Sequence, residues 1–312
     1  MVGAMTAIGP TGRLKPVPPT GPAVAVTEAA DRAGARYWVW GNPDAATTVV
    51  AVHGFRGDHH GLLPITNRLD GFRVVTPDLP GFGGSAPFSD RAHDVDAYAE
   101  WLTGFCRETT GDAERLVVIG HSFGSVISAA AVAGGLTLDE LVLVNPIAAP
   151  ALQGPRAVLS KIAVGYYRAG ALLPERLGGP LLTSPLIVRA LSEVMATTDD
   201  PDQRAWIHDQ HRRYFSSFAD RRVVLEAFQA SVSHHVGEYA ARITSPALLI
   251  AGDRDDIVPV PAVQRLAERI DDSRLLVLAD VGHLIHYERA DPAAAAITEF
   301  LSRPRRSADD KA

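Results

Sequence analysis

Short runs of β-branched and apolar residues recur along the chain, separated by stretches in which apolar positions return every three or four residues. Thr47–Val52, Phe72–Thr76, Arg115–Ile119, Glu140–Val144, Ala247–Ala251 and Leu275–Leu278 read as strands. Val49-Val50-Ala51-Val52 and Leu141-Val142-Leu143-Val144 are unbroken apolar runs, which predicts strands covered on both faces, as in a parallel sheet flanked by helices. Ahead of them, Ala23–Val26 and Ala35–Trp40, with Asp31 and Gly34 between as turn residues, predict an antiparallel hairpin. Helical spacing covers 93–108 (Val95, Tyr98, Ala99, Leu102, Phe105), 260–270 (Val263, Leu266, Ile270) and 291–301, and residues 123–133 are small and apolar. In the last helix Asp291 reads as the N-cap and Pro292 as the first helical residue. This alternation predicts an α/β fold, a doubly wound and mostly parallel eight-stranded sheet with helices on both sides.

The rhythm breaks once. About a hundred residues separate Val144 from Ala247, too many for a structureless loop in a compact domain. Their Leu, Arg, Ala and aromatic content predicts a mostly helical insertion. The expected organisation is therefore a tail at 1–22, a core at 23–146 and 246–302, a helical cap at 147–245 and a short tail at 303–312. The first tail is rich in Gly, Pro and Thr and reads as flexible.

Composition removes several classes. The 312 residues carry a formal charge of −6, which gives no reason to expect nucleic acid or an anionic membrane as partner. No basic stripe interleaved with aromatics is present. One cysteine, Cys106, leaves no intramolecular disulfide or cysteine metal cluster, and beside Trp101, Leu102 and Phe105 it reads as a buried, inert thiol. No run approaches the ~18 apolar residues of a membrane span, and the N-terminus lacks the order of a secretory signal, so the expected compartment is the cytoplasm.

The chemistry concentrates at Gly120-His121-Ser122-Phe123-Gly124, directly after a buried run and before a helix of small residues. Gly-x-Ser-x-Gly in that context suits a sharp strand-to-helix turn that exposes a serine hydroxyl, with the glycines avoiding collisions and the helix N-terminus facing developing negative charge. His53-Gly54-Phe55 follows one strand and Asp78-Leu79-Pro80-Gly81-Phe82-Gly83-Gly84-Ser85 the next. With these landmarks in order, residues 23–302 resemble the α/β-hydrolase superfamily.

The resemblance implies Ser122 as nucleophile. Of eleven histidines it selects His283, in Asp280-Val281-Gly282-His283 past the last strand, as the base. It selects Asp255, in Gly252-Asp253-Arg254-Asp255-Asp256-Ile257-Val258-Pro259, as the acid that fixes the imidazole. Asp253 and Asp256 read as turn formers. Some relatives carry the acid one strand earlier, where this chain has Asn145, which cannot supply a carboxylate. The expected oxyanion donors are the backbone N–H groups of Phe55 and Phe123, with a purely core role for the Phe55 aromatic as the alternative. His121 reads as packing, Asp78 as a brace for the loop before Gly81, and His286 as either pocket lining or a surface or helix-start residue.

Tyr166, Tyr167, Trp206, Tyr214, Phe215 and Phe218 could face a substrate from the cap, but aromatic residues at helical spacing read first as core. His59-His60, His208 with His211, and His234-His235 have no accompanying ligand pattern, so no metal is expected, nor any organic cofactor. The expected activity is hydrolysis of a carboxylic ester or related acyl compound, small and largely apolar, through an acyl-enzyme, by a monomer or homodimer. One alternative is carbon–carbon bond hydrolysis of a vinylogous diketone acid, although such relatives commonly carry Trp after the catalytic histidine and this chain has Leu284. Another is a catalytically silent ligand-binding protein on the same scaffold. Ser122 argues against the dehalogenases and epoxide hydrolases of the fold, which use an aspartate nucleophile.

Overall fold

Nine strands form one sheet in the computed structural model, which describes residues 6–8, 27–111, 113–150 and 157–303. They are β1 (Thr6–Ile8), β2 (Thr27–Ala30), β3 (Arg36–Gly41), β4 (Thr47–Val52), β5 (Arg73–Pro77), β6 (Arg115–His121), β7 (Glu140–Val144), β8 (Ala247–Gly252) and β9 (Ser273–Leu278). Their order across the sheet is β1-β9-β8-β7-β6-β4-β5-β3-β2, parallel except where β3 pairs with β5 and with β2. The helices are α1 (Leu63–Thr66), α2 (Val95–Thr109), α3 (Phe123–Ala133), α4 (Ala157–Leu172), α5 (Glu175–Leu182), α6 (Pro185–Met195), α7 (Pro201–Tyr214), α8 (Arg221–Ser233), α9 (Val260–Ala267), α10 (Ile285–Glu288) and α11 (Ala290–Leu301).

The unbroken apolar runs sit centrally because both faces of those strands are covered. Val50, Val52, Val118 and Leu141 pack with Tyr98 and Leu102 of α2 and Phe123 and Ile127 of α3. Val49, Ala51, Val117 and Ile119 point the other way, onto Ile297 and Phe300 of α11. Register aligns the strand ends: Val52 pairs with Gly120, Gly120 with Leu143 and Leu143 with Leu249. The chain therefore leaves β4, β6, β7 and β8 at one edge.

The hairpin is present, with its turn at Asp31–Gly34, where buried Asp31 accepts from Ala35 N at 2.7 Å and from Trp101 Nε1 at 2.9 Å. Its first strand is Thr27–Ala30; the expected strand Ala23–Val26 lies outside the described residues. Much of the expected tail at 1–22 also lies outside them, as do 304–312, but Thr6–Ile8 pairs in parallel with β9, takes the edge position beside it and makes the sheet nine strands wide where eight were expected. An edge strand offers unpaired N–H and C=O groups, so even three residues can add to it. The last helix starts at Ala290, so Asp291 lies in its first turn and does not cap it.

Between β7 and β8 the chain forms α4 to α8, the helical insertion that composition predicted. Asp200 and Asp220 start α7 and α8 by accepting first-turn backbone N–H groups. No helix among the described residues is long and apolar enough to cross a membrane. Cys106 is buried, and burial pushes its thiol up to about 12, consistent with an inert thiol.

Candidate active site

Residues that follow parallel strands meet at the sheet edge where those strands end. β6 ends at His121 and α3 begins at Phe123, leaving Ser122 in the turn with φ 52° and ψ −118°. Such a conformation costs a non-glycine residue about 1–3 kcal/mol and persists only where neighbours impose it. Here Ser122 N–H donates to Val144 O at 3.1 Å and its carbonyl accepts from Ser125 N at 2.9 Å. The two glycines make the turn possible. A Cβ on Gly120 would stand 2.5 Å from Gly124 O, and one on Gly124 would stand 2.3 Å from Val52 O.

The loops after β8 and β9 bring two further side chains to this turn. Ser122 Oγ donates to His283 Nε2 at 2.8 Å, and His283 Nδ1 donates to Asp255 Oδ2 at 2.8 Å. Asp255 Oδ1 accepts from the backbone of Ile257 at 2.8 Å and Val258 at 3.0 Å. Burial pushes the Asp255 carboxyl up. The His283 ring, its hydrogen bond and the Val258 and Ile257 amides outweigh burial and hold the pKa below the ordinary carboxylate value. An ionised Asp255 fixes the tautomer in which Nε2 is free to accept the serine proton.

Phe123 opens α3, where backbone N–H groups have no partner within the helix. Phe55 sits in a tight turn closed by Gly57 N donating to Gly54 O at 3.1 Å. That turn packs against the serine, since a Cβ on Gly54 would lie 3.1 Å from Ser122 Cβ. The structure thus brings Ser122, His283, Asp255 and the Phe55 and Phe123 backbones together.

The remaining candidates fall elsewhere. His121 packs against His286, ring centroids 4.2 Å apart, and burial with the nearby His283 pushes its pKa down to about 3. His286 is 5% exposed within α10, which excludes a surface role. Asp78 accepts from His59 N and Gly84 N, both at 2.7 Å, and so braces the loop that holds Gly81. Asp253 accepts from Val281 N at 3.3 Å. His208 and His211 share the Ser192 hydroxyl, at 2.6 and 2.7 Å. His234 pairs with Glu238. Asp58, His59 and His60 group their ligand-capable atoms within 4.8 Å, but the Nδ1 atoms of both rings are engaged by Asp78 and Asp58. Of the insertion aromatics, Tyr167 stacks on Phe228 at 4.1 Å and Trp206 meets Tyr287 edge-on at 5.3 Å, both as packing.

Four further residues hold the site: Asn145 and His53, which the sequence places near it without a role, and Thr197 and Arg56, which carry no sequence signal. Asn145 donates to Asp255 Oδ2 at 2.9 Å and to Gly282 O at 3.1 Å. Thr197, in the insertion, accepts from Gly282 N at 2.9 Å and is gripped by buried Glu288. His53 Nε2 accepts from Leu79 N at 2.9 Å, joining the two loops after β4 and β5. Arg56 is fully buried. Asn145 and Arg56 have left-handed φ, 46° and 61°, which asparagine tolerates and arginine rarely adopts.

A profile described as the alpha/beta hydrolase family matches residues 49–296. Lipase 1 of Psychrobacter immobilis is 24% identical over 266 residues, covering 83% of this chain and 78% of that protein. The 2-hydroxy-6-oxononadienedioate/2-hydroxy-6-oxononatrienedioate hydrolase 2 of Pseudomonas putida is 27% identical over 274 residues, covering 83% and 88%. Among solved structures, the esterase EaEST from Exiguobacterium antarcticum superposes with a TM-score of 0.70 at 17% identity, over 89% of this chain and 99% of that one. With a family profile spanning most of its length and a sheet of matching architecture, the chain belongs to the alpha/beta hydrolase family.

Proposed function

We propose that this hydrolase cleaves a carboxylic ester or related acyl compound through an acyl-enzyme on Ser122. The observation that carries the reading is the unbroken pair of 2.8 Å hydrogen bonds from Ser122 Oγ to His283 Nε2 and from His283 Nδ1 to Asp255. A hydroxyl needs a base within hydrogen-bond reach to become a nucleophile, and the base needs a partner to stabilise its imidazolium.

Ser122 Oγ attacks the acyl carbon as its proton moves to His283 Nε2, and the carbonyl π electrons move onto oxygen. The Phe55 and Phe123 N–H groups receive that oxyanion. Collapse breaks the acyl–oxygen bond, and the leaving alcohol takes the proton from His283. Water then attacks the acyl-enzyme and gives its proton to His283. The second collapse releases the acid and returns the proton to Ser122. The sum is ester plus water to acid plus alcohol, with no metal or organic cofactor in any step.

The insertion at 147–245 serves in this reading as a cap over the serine. Its Thr197 reaches the Gly282 backbone beside His283, and its Tyr167 lies 5.5 Å from the Phe55 ring. The substrate is small and largely apolar, in keeping with the aromatic surroundings of Phe55.

A graded panel of aryl and alkyl esters, with one dienoic diketone acid included, tests the assignment. Turnover of esters that disappears in Ser122→Ala is expected. Turnover confined to the diketone acid would move the assignment to carbon–carbon cleavage, and wild-type activity in Ser122→Ala would remove the serine from the mechanism.

A further inference from the structure

We propose that Arg56 is a positioning residue through which the helical insertion holds the Phe55 oxyanion donor in place; the inference rests on the serine-hydrolase reading above.

The turn that presents Phe55 is built on an unfavourable residue. Gly54 and Gly57 close it, leaving Phe55 and Arg56 as its two central residues, and Arg56 has φ 61°. A turn with positive φ at its third position selects glycine or asparagine, because a Cβ is strained there. An arginine at that position is retained in this geometry only if its side chain is anchored.

The anchor lies wholly in the insertion. The Arg56 guanidinium donates to Leu182 O at 2.7 Å, Ser216 Oγ at 2.6 Å, Phe215 O at 3.1 Å and Tyr167 Oη at 3.2 Å. Leu182 is the last residue of α5 and Phe215 directly follows α7, so two of these acceptors are carbonyls that a helix end leaves unpaired. Helix C-termini carry partial negative charge, which compensates a buried cation without a carboxylate. The Phe215 and Phe218 rings stand 5.2 and 5.6 Å from the guanidinium carbon and add cation–π attraction. Among the described residues no carboxylate pairs with Arg56.

This arrangement argues against Arg56 as a subsite for an anionic substrate. Four of its five N–H groups are already spent on the insertion, and the side chain is fully buried. What the contacts do is fix the backbone one residue from the Phe55 N–H. The oxyanion hole then depends on the insertion being seated, although none of the insertion's own groups belongs to it.

The test compares Arg56→Lys, Arg56→Met and the double variant Tyr167→Phe/Ser216→Ala, which keeps the arginine but removes two acceptors. Each is assayed on 4-nitrophenyl acetate, with active sites counted by fluorophosphonate labelling so that misfolded protein drops out. Lysine cannot reproduce the forked contacts. Displacing an oxyanion donor acts on kcat, so kcat per labelled site is expected to fall about 10- to 100-fold in both Arg56 variants and roughly 3- to 10-fold in the double variant, with KM little changed. Affinity for a trifluoromethyl ketone, which forms an oxyanion on Ser122, should fall in parallel. If kcat per site and ketone affinity stay within about twofold of the parent while only Tm drops, Arg56 is a cap fastener and the proposal is wrong. A parent enzyme that neither labels nor turns over would instead remove the serine-hydrolase reading and this inference with it.

Discussion

Asn145 donates its side-chain amide at 2.9 Å to the same Asp255 oxygen that accepts from His283. It stands just past β7, where some relatives of this fold carry the acid, and its second amide hydrogen reaches Gly282 O, next to His283. One carboxamide therefore ties Asp255, the proposed acid, to the loop that carries His283, the proposed base. A hydrogen bond to a charged group contributes about 1.5–3 kcal/mol, so Asn145→Ala is expected to lower kcat/KM about 10- to 100-fold in steady-state ester assays. An unchanged kcat/KM would make the contact incidental.

Asp255 and its neighbours Asp253 and Asp256 can be separated by the same assay. Asp255→Asn leaves the shape intact but reverses the hydrogen bond to His283, so a loss of up to about 10⁴-fold in kcat is expected. Asp253→Asn should change activity little, because Asp253 contacts the Val281 backbone and not the imidazole. A larger loss at Asp253 or Asp256 would show the acid misassigned.

Gly124 makes a prediction about stability. An added Cβ would approach Val52 O to 2.3 Å and His53 O to 2.6 Å, both backbone atoms that cannot rotate away. Gly124→Ala should destabilise the fold by at least about 1–3 kcal/mol, as overpacking does. Denaturant unfolding reads this directly, and a midpoint equal to the parent's would contradict the tight turn.

Buried imidazoles set the acid limit of stability. Burial pushes His121 down to about 3 and His211 to about 4, and with help from the neighbouring rings it holds His286 well below the ordinary imidazole value. The unfolded chain binds protons at these rings near pH 6.5 while the folded chain does not, so stability is complete above that pH and falls as pH drops toward the folded values. Each ring contributes up to about 1.4 kcal/mol per pH unit. Tm measured from pH 7.5 to 5 should fall less steeply in His286→Leu than in the parent. Parallel slopes would mean that this ring is already protonated in the native state.

Much of this site was legible because backbone geometry leaves residue-type signatures. Ser122 needed glycines at 120 and 124 for reasons of space, and the same spacing flagged the turn. The buried strands announced themselves as unbroken apolar runs. Asn145 was legible only as a position lacking a carboxylate and Arg56 not at all, because their roles depend on partners 110 and 126 residues away in sequence. Thr27–Ala30 is a largely exposed edge strand, so hydropathy pointed instead to the apolar residues just before it. Thr6–Ile8 is too short to show any period. The insertion was readable as helical from composition, but where its described helices α4 to α8 begin depends on caps such as Asp200 and Asp220 that resemble ordinary loop aspartates.

In the proposed mechanism Ser122 becomes covalently acylated with His283 as its base. Rapid acid quenching of the enzyme during turnover of a 4-nitrophenyl ester, followed by peptide mass mapping, addresses it most directly. An acyl mass increment is expected on the peptide containing Ser122, absent in Ser122→Ala and formed far more slowly in His283→Ala. An acyl group on another residue, or turnover at full rate with no covalent adduct, would contradict it.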